Sequence, residues 1–296
     1  MGRLIAKRIN ISMCSLSFKV YVRIGNDVIR AVTFDVWGTL LGYTAEMSEY
    51  WREARKRSMF KVLRTLGYNY NMSEISKAYD ILERKIRGEE VLLPTSCTSS
   101  SRQHFESMSE ITVTDQVGLF LRLLNVKVQG PWVKGLVKLY AEVSLEKLPT
   151  CAKNARGCLS QLKDDGIKLG IISNVARTPS RVLRIVLAKH GILEYFDTTS
   201  FSDEVYVRKP HPKIFLHALS QLEVKAKDAV HVGDRLRDDV YGAKIVGMRA
   251  VLCRSIAPLP LEEEILKPDA SIDKLIQLRA ALESIGATSN LRDQKD

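Results

Sequence analysis

The stretch Thr33-Phe34-Asp35-Val36-Trp37-Gly38-Thr39-Leu40-Leu41 decides the fold of this 296-residue chain. An apolar run ends in a carboxylate, then turns at a glycine and a hydroxyl. The pattern predicts that Asp35 stands at the C-terminal end of a buried strand, on the rim where open α/β sheets bind ligands. A carboxylate there can be a nucleophile, a metal ligand or both. Alone, it can equally cap a turn, and later stretches of the chain must discriminate.

Working outward toward the N-terminus, residues 28–34 read as a strand. Before them Phe18, Val20, Val22 and Ile24 alternate with Lys19, Tyr21 and Arg23, which is strand periodicity. Gly25-Asn26-Asp27 is turn chemistry. A hairpin is expected, its first strand an edge addition to the sheet. Residues 1–16 carry no clear pattern and read as a tail or as a stretch upstream of a start at Met13.

In the other direction, residues 43–147 read as all-helical. Met47, Tyr50, Trp51, Ala54, Ser58, Val62 and Leu66 are expected to share one helix face. Ile75, Ala78, Tyr79, Leu82 and Ile86 mark a second helix, and two more are expected near residues 113–124 and 132–143. Residues 93–101 are rich in Ser and Thr and are expected to form a loop. After Leu148-Pro149 the rhythm changes to strands at residues 168–172, 199–202, 229–232 and 250–253. Helices are expected between them at 152–165, 179–190, 212–222 and 239–246, and a last one at 272–282. Such alternation implies a parallel sheet covered on both faces. The fold class is therefore α/β, a doubly wound parallel sheet with an inserted all-helical domain. A discontinuous core (17–42 and 148–296) would carry a helical domain at 43–147, with a tail at 1–16.

Polar groups fall at or just past the strand ends: Asp35, Ser173-Asn174, Lys209, and Asp234 with Asp239. In a doubly wound sheet these ends share one rim, so residues distant in sequence converge. Singly, each has an ordinary explanation as a turn, surface or cap residue. Together they offer a nucleophile, a hydroxyl and an amide for an anion, a cation, and carboxylates for a hard metal.

Four motifs resemble those of the haloacid dehalogenase-like hydrolase superfamily, in its helical-cap branch: FDVWGTLL with Asp35, IISN with Ser173, RKPHPKIF with Lys209, and VGDRLRDDVYGA with Asp234 and Asp239. The resemblance spans roughly residues 28–285. It implies an aspartyl-phosphate on Asp35 and Mg2+ held by Asp35, Asp234, Asp239 and the backbone carbonyl of Trp37. It further implies Thr39, Ser173 and Asn174 on the phosphoryl oxygens, and Lys209 neutralising charge and positioning Asp35. The expected activity is that of a Mg2+-dependent phosphatase acting on a small phosphorylated metabolite, with the helical cap closing over the substrate.

One position departs from that pattern. Two residues after the nucleophile the superfamily's phosphatases usually carry a second Asp, the general acid for the leaving alcohol. Here it is Trp37, whose indole cannot shuttle a proton at neutral pH. Haloacid dehalogenases commonly have an aromatic residue there, because a halide leaves without a proton. A 2-haloacid dehalogenase is therefore the alternative, with Arg52 or Arg55 as candidate substrate-binding arginines. Asp234 directly after Gly233 weighs toward Mg2+ and the phosphatase. A phosphonatase ranks third, its Schiff-base lysine sought among Lys56, Lys61 and Lys77. A binding protein on a spent hydrolase fold ranks last.

Composition narrows the class. With 45% hydrophobic and 27% charged residues the chain has globular character, and no apolar run approaches bilayer length. No apolar leader follows the basic first residues, so a cytoplasmic protein is expected. The five cysteines include no C-x-x-C pair, against a disulfide scaffold or a zinc site. The net charge of +11 is spread along the chain without basic runs. It suits a small anionic substrate, with neither nucleic acid nor membrane as partner, and the chain as monomer or homodimer.

Overall fold

The computed structural model describes residues 29–86, 108–127, 130–254 and 267–292. The expected strand at 17–24, the tail at 1–16 and the loop at 93–101 lie outside them.

The strands are β1 (Ala31–Phe34), β2 (Leu41–Gly42), β3 (Thr150–Cys151), β4 (Lys168–Ser173), β5 (Thr198–Phe201), β6 (Ala229–Gly233), β7 (Arg249–Cys253) and β8 (Ala270–Ile272). Six of them form a sheet in the order β5-β4-β1-β6-β7-β8, and every pairing is parallel. The longer helices are α1 (Ala45–Thr65), α2 (Met72–Ile86), α3 (Val113–Leu123), α4 (Pro131–Ala141), α5 (Ala155–Asp164), α6 (Ser180–Lys189), α7 (Pro212–Leu222) and α8 (Leu278–Arg292).

Strand alternation explains why the sheet is covered on both sides. Val32, Phe34, Val230, Val232 and Val251 join one core with residues of α5, α6 and α8. Their neighbours Ala31, Ala229, Ala250 and Leu252 face the other way and join a second core with α7. β1 lies where the strand order reverses, and its register sets Phe34 opposite both Ile171 and Val232. The ends of β1, β4 and β6 therefore reach one rim together.

The chain leaves this rim through β2 and returns through β3, which pair antiparallel with Leu41 opposite Cys151. Helices α1 to α4 lie between them around a core of their own. Thr44 caps α1, its side chain accepting from Met47 N at 3.2 Å. Thr112 and Asp115 form a reciprocal capping box on α3. The insertion is tied to the core in several places, among them Val182 of α6, which packs into the insertion's apolar cluster, Gln116, whose Nε2 donates to Ala176 O at 2.9 Å, and Met108, whose O accepts from Arg208 N at 2.8 Å. Among the described residues no helix is long and apolar enough to cross a membrane.

Four local expectations change. On α1 the buried face runs through Met47, Trp51, Ala54, Met59 and Leu63, not through Ser58, Val62 and Leu66. Steps of four residues overshoot a 3.6-residue turn by about 40° each, so the second half of the expected face rotates away. The short strands β2 and β3 had no periodic signal. Ile272, expected to open the last helix, instead ends β8, and the α-helical part begins at Leu278. The helix expected at 239–246 starts earlier, as a widened π-type turn over Leu236–Tyr241 followed by Gly242–Ile245. A Cβ on Gly233 would stand 2.2 Å from Asp239 Cγ, so the missing side chain lets this turn fold back onto the strand end.

Candidate active site

Asp35 follows β1, and its backbone N–H donates to Val232 O at 2.9 Å, continuing the ladder with β6. The chain then closes a tight loop, with Leu40 N and Leu41 N both on Val36 O at 2.9 and 2.8 Å. Gly38 at its apex has φ +86°, and a Cβ there would lie 2.1 Å from Asp234 Oδ2. Glycine is therefore needed twice, for the left-handed backbone and for the approach of Asp234. Thr39 follows it, fully buried.

Lys209 holds the centre. Its Nζ donates to Asp35 Oδ1 at 2.6 Å, to Asp239 Oδ1 at 2.6 Å and to Ile172 O at 2.8 Å. These three bonds use all the donors of an ammonium. Asn174 fixes the lysine's backbone, accepting from Lys209 N at 2.8 Å and donating to Lys209 O at 3.3 Å. The amide expected to face a substrate oxygen thus spends both ends on Lys209, although Asn174 also lines the cavity. Ser173 is fully buried beside Asp35, where its hydroxyl favours the ionised carboxylate.

Asp239 is held on both oxygens. Oδ1 receives Lys209 and His231 Nε2 (3.1 Å), and Oδ2 receives the backbone N–H of Arg235 at 2.9 Å. Burial pushes its pKa up, but Lys209 and His231 outweigh that and hold the carboxyl below its ordinary range. Burial also opposes charge on Lys209, yet Asp239 and Asp35 leave its pKa raised. Asp35 is pushed up to about 6, chiefly by burial against the pull of Lys209. Asp234 is pushed up to about 8 by burial and by the negative charges of Asp35 and Asp239.

Asp35, Asp234 and Asp239 offer carboxylate oxygens that lie within 4.8 Å of one another. Three buried carboxylates share one buried ammonium, and Asp234 is raised first by its burial and then by the charges of Asp35 and Asp239. The all-oxygen set and its excess negative charge fit a hard divalent cation.

A cavity of about 360 Å³ opens above Asp35, lined on the core side by Trp37, Lys209 and Asp234 and on the helical side by Trp51, Arg52 and Glu83. Trp37 packs edge-on against Tyr43 and Trp51, with ring centroids 5.6 and 6.2 Å away. Arg52 lines the cavity as expected, but it is ion-paired to Asp80 and lies 3.5 Å from both Glu49 and Glu83. Arg55 also lines the cavity, with its Nε donating to Tyr140 O at 3.0 Å.

Two features were missed from sequence. Arg177, on the loop after β4, bridges to Glu83 of α2 at 2.9 Å across the cavity wall. Only its place four residues past Ser173 could have suggested it. His231, read as structural, bonds directly to Asp239.

A strand-end carboxylate clamped by a buried lysine, with a second acid held against a glycine turn, is an arrangement suited to nucleophilic hydrolysis. The model of the haloacid dehalogenase-like hydrolases matches residues 29–247, and the chain belongs to that family. It is 37% identical over 167 residues, 55% of this chain and 67% of the relative, to a glyceraldehyde 3-phosphate phosphatase of Pyrococcus furiosus. Among solved structures, it is 28% identical to a HAD phosphatase from Thermococcus onnurineus, covering 86% of this chain and 97% of the other at a TM-score of 0.54. A 2-haloacid dehalogenase from Pseudomonas syringae superposes at a TM-score of 0.61 over 86% of this chain and 98% of its own; at 23% identity this speaks for the fold alone.

Proposed function

We propose that the chain is a Mg2+-dependent phosphatase that cleaves a small phosphorylated metabolite through an aspartyl-phosphate on Asp35. The observation that carries this reading is the acidic cluster itself. Asp35, Asp234 and Asp239 bring carboxylate oxygens within 4.8 Å of one another around the single ammonium of Lys209, a set of hard donors that substitution at carbon would not require. The phosphatase relatives support the same reading.

Asp35 would attack phosphorus while Lys209 keeps its carboxylate oriented. Thr39 and Ser173 would hold the phosphoryl oxygens. Asp35, Asp234 and the Trp37 backbone carbonyl would hold Mg2+, which when bound supplies charge neutralisation at the phosphoryl group. Asp239, with both oxygens already occupied, would serve to hold Lys209 rather than to coordinate metal. Residues 43–147 would act as a cap that excludes water. Arg52 would reach a substrate only by exchanging one of its carboxylate partners. Trp37 gives no proton to a leaving group, so substrates whose leaving group departs unprotonated would react best. A cytoplasmic setting with a small anionic substrate completes the proposal.

The test is hydrolysis of p-nitrophenyl phosphate with and without Mg2+, with Asp35→Asn as blank. Mg2+-dependent release lost in the variant is expected. No release from the wild type, with turnover of 2-haloacids, would replace this reading by the dehalogenase that Trp37 alone favours.

A further inference from the structure

Behind the site, on the sheet face away from β-strand residues Val32 and Phe34, two polar side chains sit in otherwise apolar strands. Thr33 of β1 and His231 of β6 are register partners, and both are fully buried. Thr33 Oγ1 lies 2.9 Å from His231 Nδ1. His231 Nε2 lies 3.1 Å from Asp239 Oδ1. Phe215 of α7 packs edge-on against the imidazole, centroids 5.3 Å apart at 85°. Neither residue lines the cavity, so neither touches a substrate there.

The direction of each bond follows from its partner. An ionised carboxylate only accepts, so His231 Nε2 must carry the proton. The neutral ring then leaves Nδ1 bare, and it accepts from the Thr33 hydroxyl. Burial, which disfavours the charged imidazole, agrees with this. Placing a hydroxyl and an imidazole inside two apolar strands costs desolvation that Val and Leu would avoid. Their presence calls for a gain, and the gain available is control of Asp239.

We infer that Thr33 and His231 are positioning residues: they hold Asp239 in one orientation, and through it set Lys209 against the nucleophile Asp35. The Asp239 carboxylate fixes the tautomer, Thr33 holds the ring at Nδ1, His231 donates to Asp239 Oδ1, and Arg235 N holds Oδ2. Asp239 cannot rotate, and Lys209 is kept between two carboxylates 2.6 Å away on either side. This rests on the phosphatase reading for its kinetic consequence, not for its hydrogen-bond pattern.

Two measurements test it. Imidazole 1H–15N correlation spectra of the metal-free protein should show His231 protonated at Nε2 and bare at Nδ1; an Nδ1–H tautomer would overturn the inference. In p-nitrophenyl phosphate turnover, His231→Leu should lower kcat by about tenfold, the effect of one lost hydrogen bond, with KM within about twofold. His231→Gln, which restores a donor to Asp239, should recover most of that loss. The near-isosteric Thr33→Val guards against simple misfolding, and should lower kcat several-fold while keeping the folded-state spectrum. Equal losses in the Leu and Gln variants, or an unchanged kcat in Thr33→Val, would reduce the pair to a structural role. If the wild type releases no nitrophenolate, the phosphatase reading falls, and the tautomer still decides the hydrogen-bond inference.

Discussion

Lys209 and Asp35 form a buried ion pair at the floor of the cavity, with Nζ 2.6 Å from Oδ1 and side-chain exposures of 2% and 7%. The same ammonium pairs with Asp239. A pair this deep draws its value from being complete, because either partner left alone is a buried charge without compensation.

Lys209→Met should therefore cost far more than a surface pair would. Removing the ammonium leaves Asp35 and Asp239 facing each other, and a loss of about 3–5 kcal/mol in unfolding free energy is expected. Chemical denaturation measures it. A loss below about 1 kcal/mol would mean that the pair is solvated.

Stability of the metal-free protein should fall as pH rises. Asp35 (about 6) and Asp234 (about 8) have folded pKa values above the roughly 3.9 of an unfolded Asp. Each binds a proton in the folded state that the unfolded chain has already lost. Their contribution is complete below the unfolded value and disappears as pH passes through the folded one. Asp239, shifted downward, acts in the opposite sense, and its contribution is lost only under strong acid. Thermal midpoints in chelator should thus decline between about pH 5 and 8.5, and Mg2+ should flatten that slope. A midpoint that climbs with pH in chelator would contradict the charge balance described for this site.

Trp37→Asp should change which esters react. A carboxylic acid at the mouth of the cavity could protonate an alkoxide, a contribution on the order of 10²-fold or more. Alkyl phosphates should gain relative to p-nitrophenyl phosphate, whose leaving group needs no proton. Comparing kcat/KM for the two in each protein decides it; parallel changes would remove proton supply as the limit that Trp37 sets.

Some of this was legible before any coordinates. The rim residues stood out because β4 and β6 are apolar runs that end in polar groups, and a parallel sheet forces such ends together. The pairings that cross the chain were not. Asn174 looks like an anion ligand in sequence, but 35 residues separate it from the Lys209 backbone it holds. Arg177 and Glu83 meet only because α2 folds over the rim. A lone histidine in a strand resembles packing until its neighbour across the register is known to be Thr33. Strands of two or three residues are too short for any period to register, which hid β2, β3 and β8.

Leu41 and Cys151, paired across β2 and β3, bring the chain's exit into the helical insertion and its return side by side. In evolutionary terms that junction is a splice site. A different helical module could be grafted between the same two strands without rethreading the sheet, and recognition could be exchanged while Asp35, Lys209 and Asp234 stayed in place. On the proposed function, what the chain recognises and what it does could change hands separately.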